Sequence, residues 1–194
     1  MTTNKGKLAE VSELLSPYGV CVAPLAREKL EIQSLDLKEI VKYAAESLAV
    51  EVSEPFIVED AGLFVDSLNG FPGPYSSYVY KTLGVEGILT LLEGEKGRRA
   101  SFRSAVAFHS KWAGLRIFEG AVTGEVARRA LGSGGFGFDP IFVPEEGDGR
   151  TFAQMSLQEK NRLSHRGRAI RAFAEWLMSW KGSSSKGHHG LWTP

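Results

Sequence analysis

The middle of the chain contains two consecutive segments in which apolar and polar residues alternate, and this pattern constrains the fold more than any other feature. Residues 101–109 place Phe102, Val106 and Phe108 on one face, and residues 115–126 follow as a partner strand. We expect the two strands to be antiparallel. Because helical patterns lie before and after them, the sequence predicts a mixed α/β fold with a long, partly antiparallel sheet between two α/β lobes.

Helices are predicted both before and after this pair of strands. The first follows Asn4 and carries an apolar stripe, the second starts at Asp36, and the last begins with a capping box at residues 156–159 and runs to Gly182. Residues 20–25 and 55–58 are predicted as short strands, the second ending in the acidic pair Glu59-Asp60. Residues 1–182 are therefore interpreted as one domain of two lobes, and residues 183–194 as a flexible tail.

Composition excludes several classes of protein. Lys plus Arg and Asp plus Glu both number 23 in the 194 residues, so no basic excess favours binding to nucleic acid. No apolar run approaches the roughly 20 residues needed to cross a bilayer, so we expect no membrane partner. The single cysteine, Cys21, cannot form an internal disulfide, and the N-terminus does not resemble a signal peptide. These features favour a cytoplasmic protein.

The segment before the first helix is suited to binding phosphate. It combines a helix N-terminus, with its free amide N–H groups and positive dipole end, with a glycine and two ammonium groups. An ordinary capped helix with solvated lysines explains the same residues, so this segment alone does not decide between the two. Its members are Thr3, Asn4, Lys5, Gly6 and Lys7.

The acidic pair Glu59-Asp60 lies at the predicted end of a strand, where open α/β sheets place their ligands. Neighbouring side chains on an extended segment point to opposite faces, so one carboxylate is expected to enter a cleft, and we assign Asp60 to it. Mg2+ is held in proteins by one or two carboxylates together with water and substrate phosphates. Glu31, between Leu30 and Ile32, is the second candidate ligand, although a salt-bridged strand acid is an equally good interpretation.

A third cluster combines glycines and aromatic rings with cations from the last helix. Glycines beside aromatic residues allow a ring to lie over a planar base, and an arginine supplies a forked pair of donors. A tight turn filled by core phenylalanines is the alternative. Lys160 and His165 would lie on different faces of an unbroken helix, so either they contact different parts of a ligand or the helix is distorted near Ser164. The members are Phe136, Gly137, Phe138, Asp139, Lys160, His165 and Arg166.

In their order along the chain, five short motifs together resemble the inosine and xanthosine triphosphate pyrophosphatase family. They are residues 3–7, 59–63, 70–76, 134–142 and 159–166. The resemblance extends from residue 2 to about Leu177. It implies a nucleotide cleft between two lobes, a homodimer and a Mg2+ cofactor.

The resemblance also implies a role for each matching residue. Thr3 to Lys7 and Lys42 correspond to phosphate-binding positions, Asp60 to the catalytic, metal-binding acid with Ala61 beside it, and Glu31 to a second metal ligand. Ser77 stands where one branch of the family has a lysine, so that phosphate contact is expected to be absent. The base and sugar pocket corresponds to Phe136, Gly137, Phe138, Asp139, Lys160, His165 and Arg166.

The expected activity is hydrolysis of ITP, dITP and XTP to the monophosphate and pyrophosphate. Protein donors at the purine edge would donate hydrogen bonds to a 6-oxo group, whereas they would face the 6-amino donor of adenine. Two alternatives stay open: a related pyrophosphatase acting on modified pyrimidine or methylated nucleotides, and a nucleotide-binding module without catalysis.

Overall fold

The structure is a computed structural model that describes residues 4–27 and 30–184. The helices are α1 (Lys5–Leu15), α2 (Leu37–Ala49), α3 (Ser76–Thr82), α4 (Gly84–Leu91), α5 (Leu157–Leu163) and α6 (His165–Ser184). The strands are β1 (Phe56–Val65), β2 (Pro72–Gly73), β3 (Arg99–Ser110), β4 (Gly114–Val126) and β5 (Phe142–Pro144).

The five strands form one sheet in the order β2-β1-β3-β4-β5, and each neighbouring pair is antiparallel. The predicted hairpin is confirmed, with β3 paired to β4 from Arg99↔Glu125 to Ser110↔Gly114. The mixed α/β class is confirmed as well. The parallel part of the predicted sheet does not occur among the strands that the structure describes.

The two faces of the sheet carry different helices because side chains alternate along each strand. On one face, Val58 and Ala105 are buried against Val41 of α2. On the other face, Val106 and Phe108 pack against α1 and α6, including Ile170. A third cluster around Leu63, Phe102 and Ile88 closes the end of the sheet that carries α3 and α4.

Two helix starts agree with the sequence prediction. Asn4 caps α1, since its Oδ1 accepts hydrogen bonds from the amides of Gly6 at 2.9 Å and Lys7 at 3.2 Å. Asp36 caps α2 in the same way, accepting from the Lys38 amide at 2.8 Å. The cap on α1 has a consequence for function, because two amides of the predicted phosphate-binding segment are already engaged.

Three element predictions were wrong in detail. Residues 20–25 form no regular strand, and Cys21 is exposed. The strand at residue 56 continues to Val65, so the acidic pair lies in the middle of β1 rather than at its end. The predicted late helix is two helices, which separate at Ser164 in an extended conformation with ψ 154°.

Some sequence predictions fall on residues outside the described ranges. Thr3 and residues 185–194 of the predicted tail belong to this group. Helix α6 continues to Ser184, two residues beyond the predicted end at Gly182. Among the residues that the structure describes, none of the helices combines the length and apolarity required to span a membrane.

Candidate active site

Glu59 of β1 connects the first helix to the last one. Its Oε2 lies 2.8 Å from the Lys7 ammonium, and its Oε1 lies 2.9 Å from Arg166 Nη2. Ser104, on the neighbouring strand β3, donates its hydroxyl to Oε1 at 2.9 Å. Glu59 is only 8% exposed and Arg166 only 2%. The contacts fix the start of α1 against the start of α6 on this face of the sheet.

A second buried carboxylate, Glu10 of α1, extends this network. Its Oε1 lies 2.6 Å from the Lys160 ammonium, and its Oε2 accepts a short hydrogen bond from Arg166. Lys160 also contacts Asp139 Oδ2 at 2.5 Å. The same Asp139 oxygen accepts from the Phe136 amide at 2.7 Å, so the glycine-rich turn is tied to α5.

Phe136 lies where the predicted phosphate-binding segment and the predicted base-pocket residues meet. The Lys160 ammonium is 4.6 Å and the Arg166 guanidinium 5.5 Å from the centre of its ring. A Cβ atom on Gly6 would stand 2.5 Å from the Phe136 ring, which is tighter than real contacts allow. Gly6 is therefore required for the close approach of α1 to this ring.

His165 is buried beside the same cations. Its imidazole stacks on Phe102 with ring centres 4.7 Å apart and planes inclined by 13°. Burial, with Arg166 and Lys160 nearby, lowers the pKa of His165 well below its usual range, so the ring is neutral at pH 7. Its Nδ1 has no hydrogen-bond partner among the described residues. A neutral imidazole with an unpaired nitrogen has the capacity for one more hydrogen bond.

The network sets the charge of its acids. Burial alone would raise the pKa of Glu59, but Arg166 and Lys7 outweigh it and hold that pKa well below its usual range. Burial raises the pKa of Asp139, partly opposed by Lys160. Burial would lower the pKa of Arg166, and Glu59 with Glu10 more than reverses this. Glu59 and Arg166 therefore remain charged at neutral pH.

Asp60 lies on the other face of the sheet. It pairs with Ala105, which is buried on the α2 side, whereas Glu59 pairs with Val106 on the α1 and α6 side. Lys7 of the helix start forms an ion pair with Glu59, on the opposite face of the sheet from Asp60. A shared role of Asp60 and Lys7 on one phosphate chain stays a prediction. Asp60 is partly exposed in the middle of its strand, next to Ala61.

The remaining predicted residues divide between surface and core. Lys5, Glu31 and Lys42 are exposed, with Lys42 on the outer side of α2, and Ser77 is exposed on α3. Phe138 is a core residue, as the alternative of a plugged turn predicted, with its ring edge-on to Tyr80 at 5.6 Å. Gly137 has φ +61° in the turn before it. Lys160 and His165 reach one site because the helix breaks at Ser164.

Sequence reasoning missed three members of the site, namely Glu10, Glu59 and Ser104. Glu10 could have been found from the sequence, because it lies on α1 between the buried Val11 and the cations of the N-terminus. Glu59 belongs to the acidic pair of β1, in which the strand-end argument favoured Asp60. Ser104 had no signal, because an isolated serine on an alternating strand is common.

Comparison with known proteins places the chain among close relatives. A sequence profile of the Ham1 family matches residues 1–176. A dITP/XTP pyrophosphatase of Thermococcus kodakarensis is 54% identical over 178 residues, which make up 91% of this chain and 95% of the relative. A dITP/XTP pyrophosphatase of Pyrococcus horikoshii is 48% identical over 177 residues, 91% of this chain and 94% of the relative.

Solved structures agree with the fold. The Ham1 protein of Staphylococcus aureus matches with a TM-score of 0.78 and 29% identity, covering 92% of this chain and 96% of that one. The nucleoside-triphosphatase and dITP/XTP pyrophosphatase of Mycobacterium abscessus matches with a TM-score of 0.67 and 31% identity, covering 89% of this chain and 94% of that one. The similarity thus extends over almost the whole chain.

Proposed function

The chain belongs to the Ham1 family, and from this premise we propose that it hydrolyses the non-standard purine triphosphates dITP, ITP and XTP to a monophosphate and pyrophosphate. The observation that carries the proposal is the convergence of separate motifs. Three distant segments supply Lys7, Phe136 and the cations Lys160 and Arg166, and their contacts join them around Glu59 and Glu10. His165 lies beside the same cations. The activity named for the relatives supports the substrate class.

We assign the base to a position beside the ring of Phe136. The ring offers an aromatic face, and the cations behind it offer N–H donors to a 6-oxo group. The 6-amino group of adenine would point a donor at those donors, which disfavours ATP. Each unpaired buried polar group costs about 1 to 3 kcal/mol of binding free energy. More than one such contact is therefore needed for the site to bind rare non-standard nucleotides in preference to abundant standard ones. Lys160 and Arg166 are held in place by Glu10, and their positions are therefore set before a nucleotide arrives.

The predicted ligands Asp60 and Glu31 are carboxylates, which are oxygen donors of the kind that Mg2+ prefers when it is shared with a substrate. Within the described parts of the chain, no three His, Cys, Asp or Glu side chains stand together as a complete metal site. Mg2+ needs only one or two protein carboxylates when phosphates and water fill its other positions, so Asp60 with Glu31 would hold it. Bound Mg2+ would withdraw negative charge from the phosphate oxygens.

The protein residues have separate tasks in this mechanism. Asp60 orients a water molecule in line with the α-phosphorus and accepts its proton. Lys5, Lys7 and Lys42 neutralise the departing pyrophosphate, and the exposed positions of Lys5 and Lys42 leave their ammonium groups able to turn toward it. Lys7 exchanges part of its contact with Glu59 for the phosphate.

A substrate panel tests the proposal. Pyrophosphate release is measured with dITP, ITP, XTP, GTP, ATP and dUTP, each with and without Mg2+. We expect release from the first three nucleotides only when Mg2+ is present. A preference for a pyrimidine would support the related-pyrophosphatase alternative, and bound but intact dITP would support the non-catalytic module.

Asp60→Asn tests the assigned acid. Because Asn cannot accept the proton, we expect kcat to fall about 100-fold or more. Asp66→Asn, in the exposed turn that follows β1, is the matched control and should keep the rate of the unmodified protein. Near-normal turnover by Asp60→Asn at saturating Mg2+ would refute the assignment.

A homodimer in the cytoplasm is also part of the proposal. Tyr78 and Leu83 of the α3 region are 69% and 53% exposed, and large apolar side chains on a surface are typical of interfaces. The single cysteine agrees with a reducing compartment. Sedimentation velocity of the unmodified protein and of Tyr78→Glu measures the assembly, and a monomer in both cases would contradict this part.

A further inference from the structure

Arg103 lies in a cavity of about 460 Å³ on the sheet face that carries Asp60. It pairs with Gly62 across β1 and β3, two positions from the Asp60↔Ala105 pair. Diagonal neighbours of this kind are about 7–8 Å apart at their backbones, within reach of a long side chain. The other lining residues include Phe64 and the start of α2.

The Arg103 guanidinium is held in place without an acidic partner. Its Nε donates to Ser101 Oγ at 3.0 Å, and its centre lies 4.5 Å from the centre of the Phe64 ring. No ion pair of Arg103 occurs within residues 4–27 and 30–184. Both terminal nitrogens are therefore available as a forked pair of donors.

The acids that line the same cavity are already engaged. Glu119 lies 3.7 Å from the Lys38 ammonium. Asp36 caps α2 by accepting a hydrogen bond from the Lys38 amide. Arg103 is therefore a cation of this cavity that has no acidic partner among the described residues. A fork of donors that is fixed by stacking suits a phosphate group, since little side-chain freedom is lost on binding.

We propose that Arg103 binds the phosphate chain of the nucleoside triphosphate on the Asp60 side of the sheet. This inference rests on the proposed function and adds a phosphate contact that none of the five sequence motifs contains. The guanidinium and the Asp60 carboxylate would flank one phosphate group, with the cation on its oxygens and the acid on the attacking water.

Two substitutions and a control test this role. Arg103→Met removes the charge and keeps the apolar stem over Phe64, and Arg103→Lys keeps the charge without the fork. Arg116→Met is the control, because Arg116 is exposed on β4 and its partner Phe108 places it on the opposite sheet face. Steady-state hydrolysis of dITP gives KM and kcat, and calorimetry with inorganic tripolyphosphate gives a dissociation constant that does not depend on turnover.

For Arg103→Met we expect KM for dITP and the dissociation constant of tripolyphosphate each to rise about tenfold or more. Arg103→Lys should recover part of both losses, and Arg116→Met should change neither. The inference is overturned if Arg103→Met stays within about twofold of the unmodified protein for tripolyphosphate, or if Arg116→Met loses as much. If the unmodified protein fails to hydrolyse dITP, the proposed function falls, and the tripolyphosphate titration still decides the role of Arg103.

Discussion

The buried network places three acids and three cations within one small volume, and this is unusual for residues that only support a fold. The acids are Glu10, Glu59 and Asp139, and the cations are Lys7, Lys160 and Arg166. Taking ions out of water costs several kcal/mol each, and replacing such pairs by apolar residues is often neutral or stabilising. In the proposed function these fixed cations serve the base and the phosphates, which gives a functional reason for the arrangement.

Replacing Glu59 tests how strongly the network depends on one residue. Glu59→Gln leaves Lys7 and Arg166 without their shared carboxylate, and removal of one partner from a buried ion pair destabilises by about 3–5 kcal/mol. Urea unfolding of the variant measures this loss. Glu46→Gln, on the exposed side of α2, is the control and should change stability by less than about 0.5 kcal/mol. A loss for Glu59→Gln as small as that of the control would contradict the account.

At the level of single residues, the sequence predicted which residues cluster around Phe136 better than it predicted the ion pairs among them. Phe136, Lys160, His165 and Arg166 were predicted to act together, and the structure brings them together. The partner of Lys7 was not predicted, because alternation along a strand does not reveal which face a helix start will cover. That choice depends on how α1 packs on the sheet, which involves residues far apart in the chain.

At the level of elements, the break at Ser164 brings the cations of α5 and α6 to one site. Ser164 ends α5 with extended backbone, and its hydroxyl accepts the Gly167 amide at 3.0 Å, so the same residue caps α6. The sequence predicted the capping box at Ser156 and left a distortion at Ser164 as one of two alternatives. The apolar stripe continues through both helices, which is why periodicity alone favoured a single long helix.

Gly120→Ala tests the packing of α6 on the sheet. A Cβ atom at Gly120 would lie 2.6 Å from the Ala169 amide nitrogen and closer still to the His165 carbonyl oxygen. Both atoms belong to the backbone, so the first turns of α6 would have to move. We expect a stability loss of about 1–3 kcal/mol by thermal unfolding, together with a lower kcat/KM for dITP because His165 and Arg166 move with the helix.

Gly97→Ala is the matched control for this substitution. Nothing lies within 4 Å of a Cβ atom at Gly97, and its backbone does not have a positive φ. It should keep the stability and the activity of the unmodified protein. If Gly120→Ala behaves in the same way, α6 does not depend on close approach at this position.

At the level of the whole molecule, the central hairpin was predictable because Phe102, Val106 and Phe108 lie an even number of residues apart, which places them on one face of a strand. The segment at residues 20–25 carries a similar apolar pattern, yet Val20 and Val22 contribute to the α1 and α6 core without joining the described sheet. A short apolar run becomes a strand only where a partner strand is adjacent, and the sequence does not specify that partner.

The stability of the molecule should depend on pH through His165. Its folded-state pKa is lowered by burial and by Arg166 and Lys160, with Glu59 acting in the opposite direction, so the unfolded chain binds the extra proton first. Stability is then lost as pH falls below about 6.5, with a slope of up to about 1.4 kcal/mol per pH unit. Glu59 has a lowered pKa too, and its contribution is lost only at more acidic pH, below about 4.5.

Urea unfolding at pH 5, 6, 7 and 8 measures the slope, which His165→Gln should abolish and His109→Gln should retain. An unchanged slope in His165→Gln would mean that another group governs the acid sensitivity of the fold.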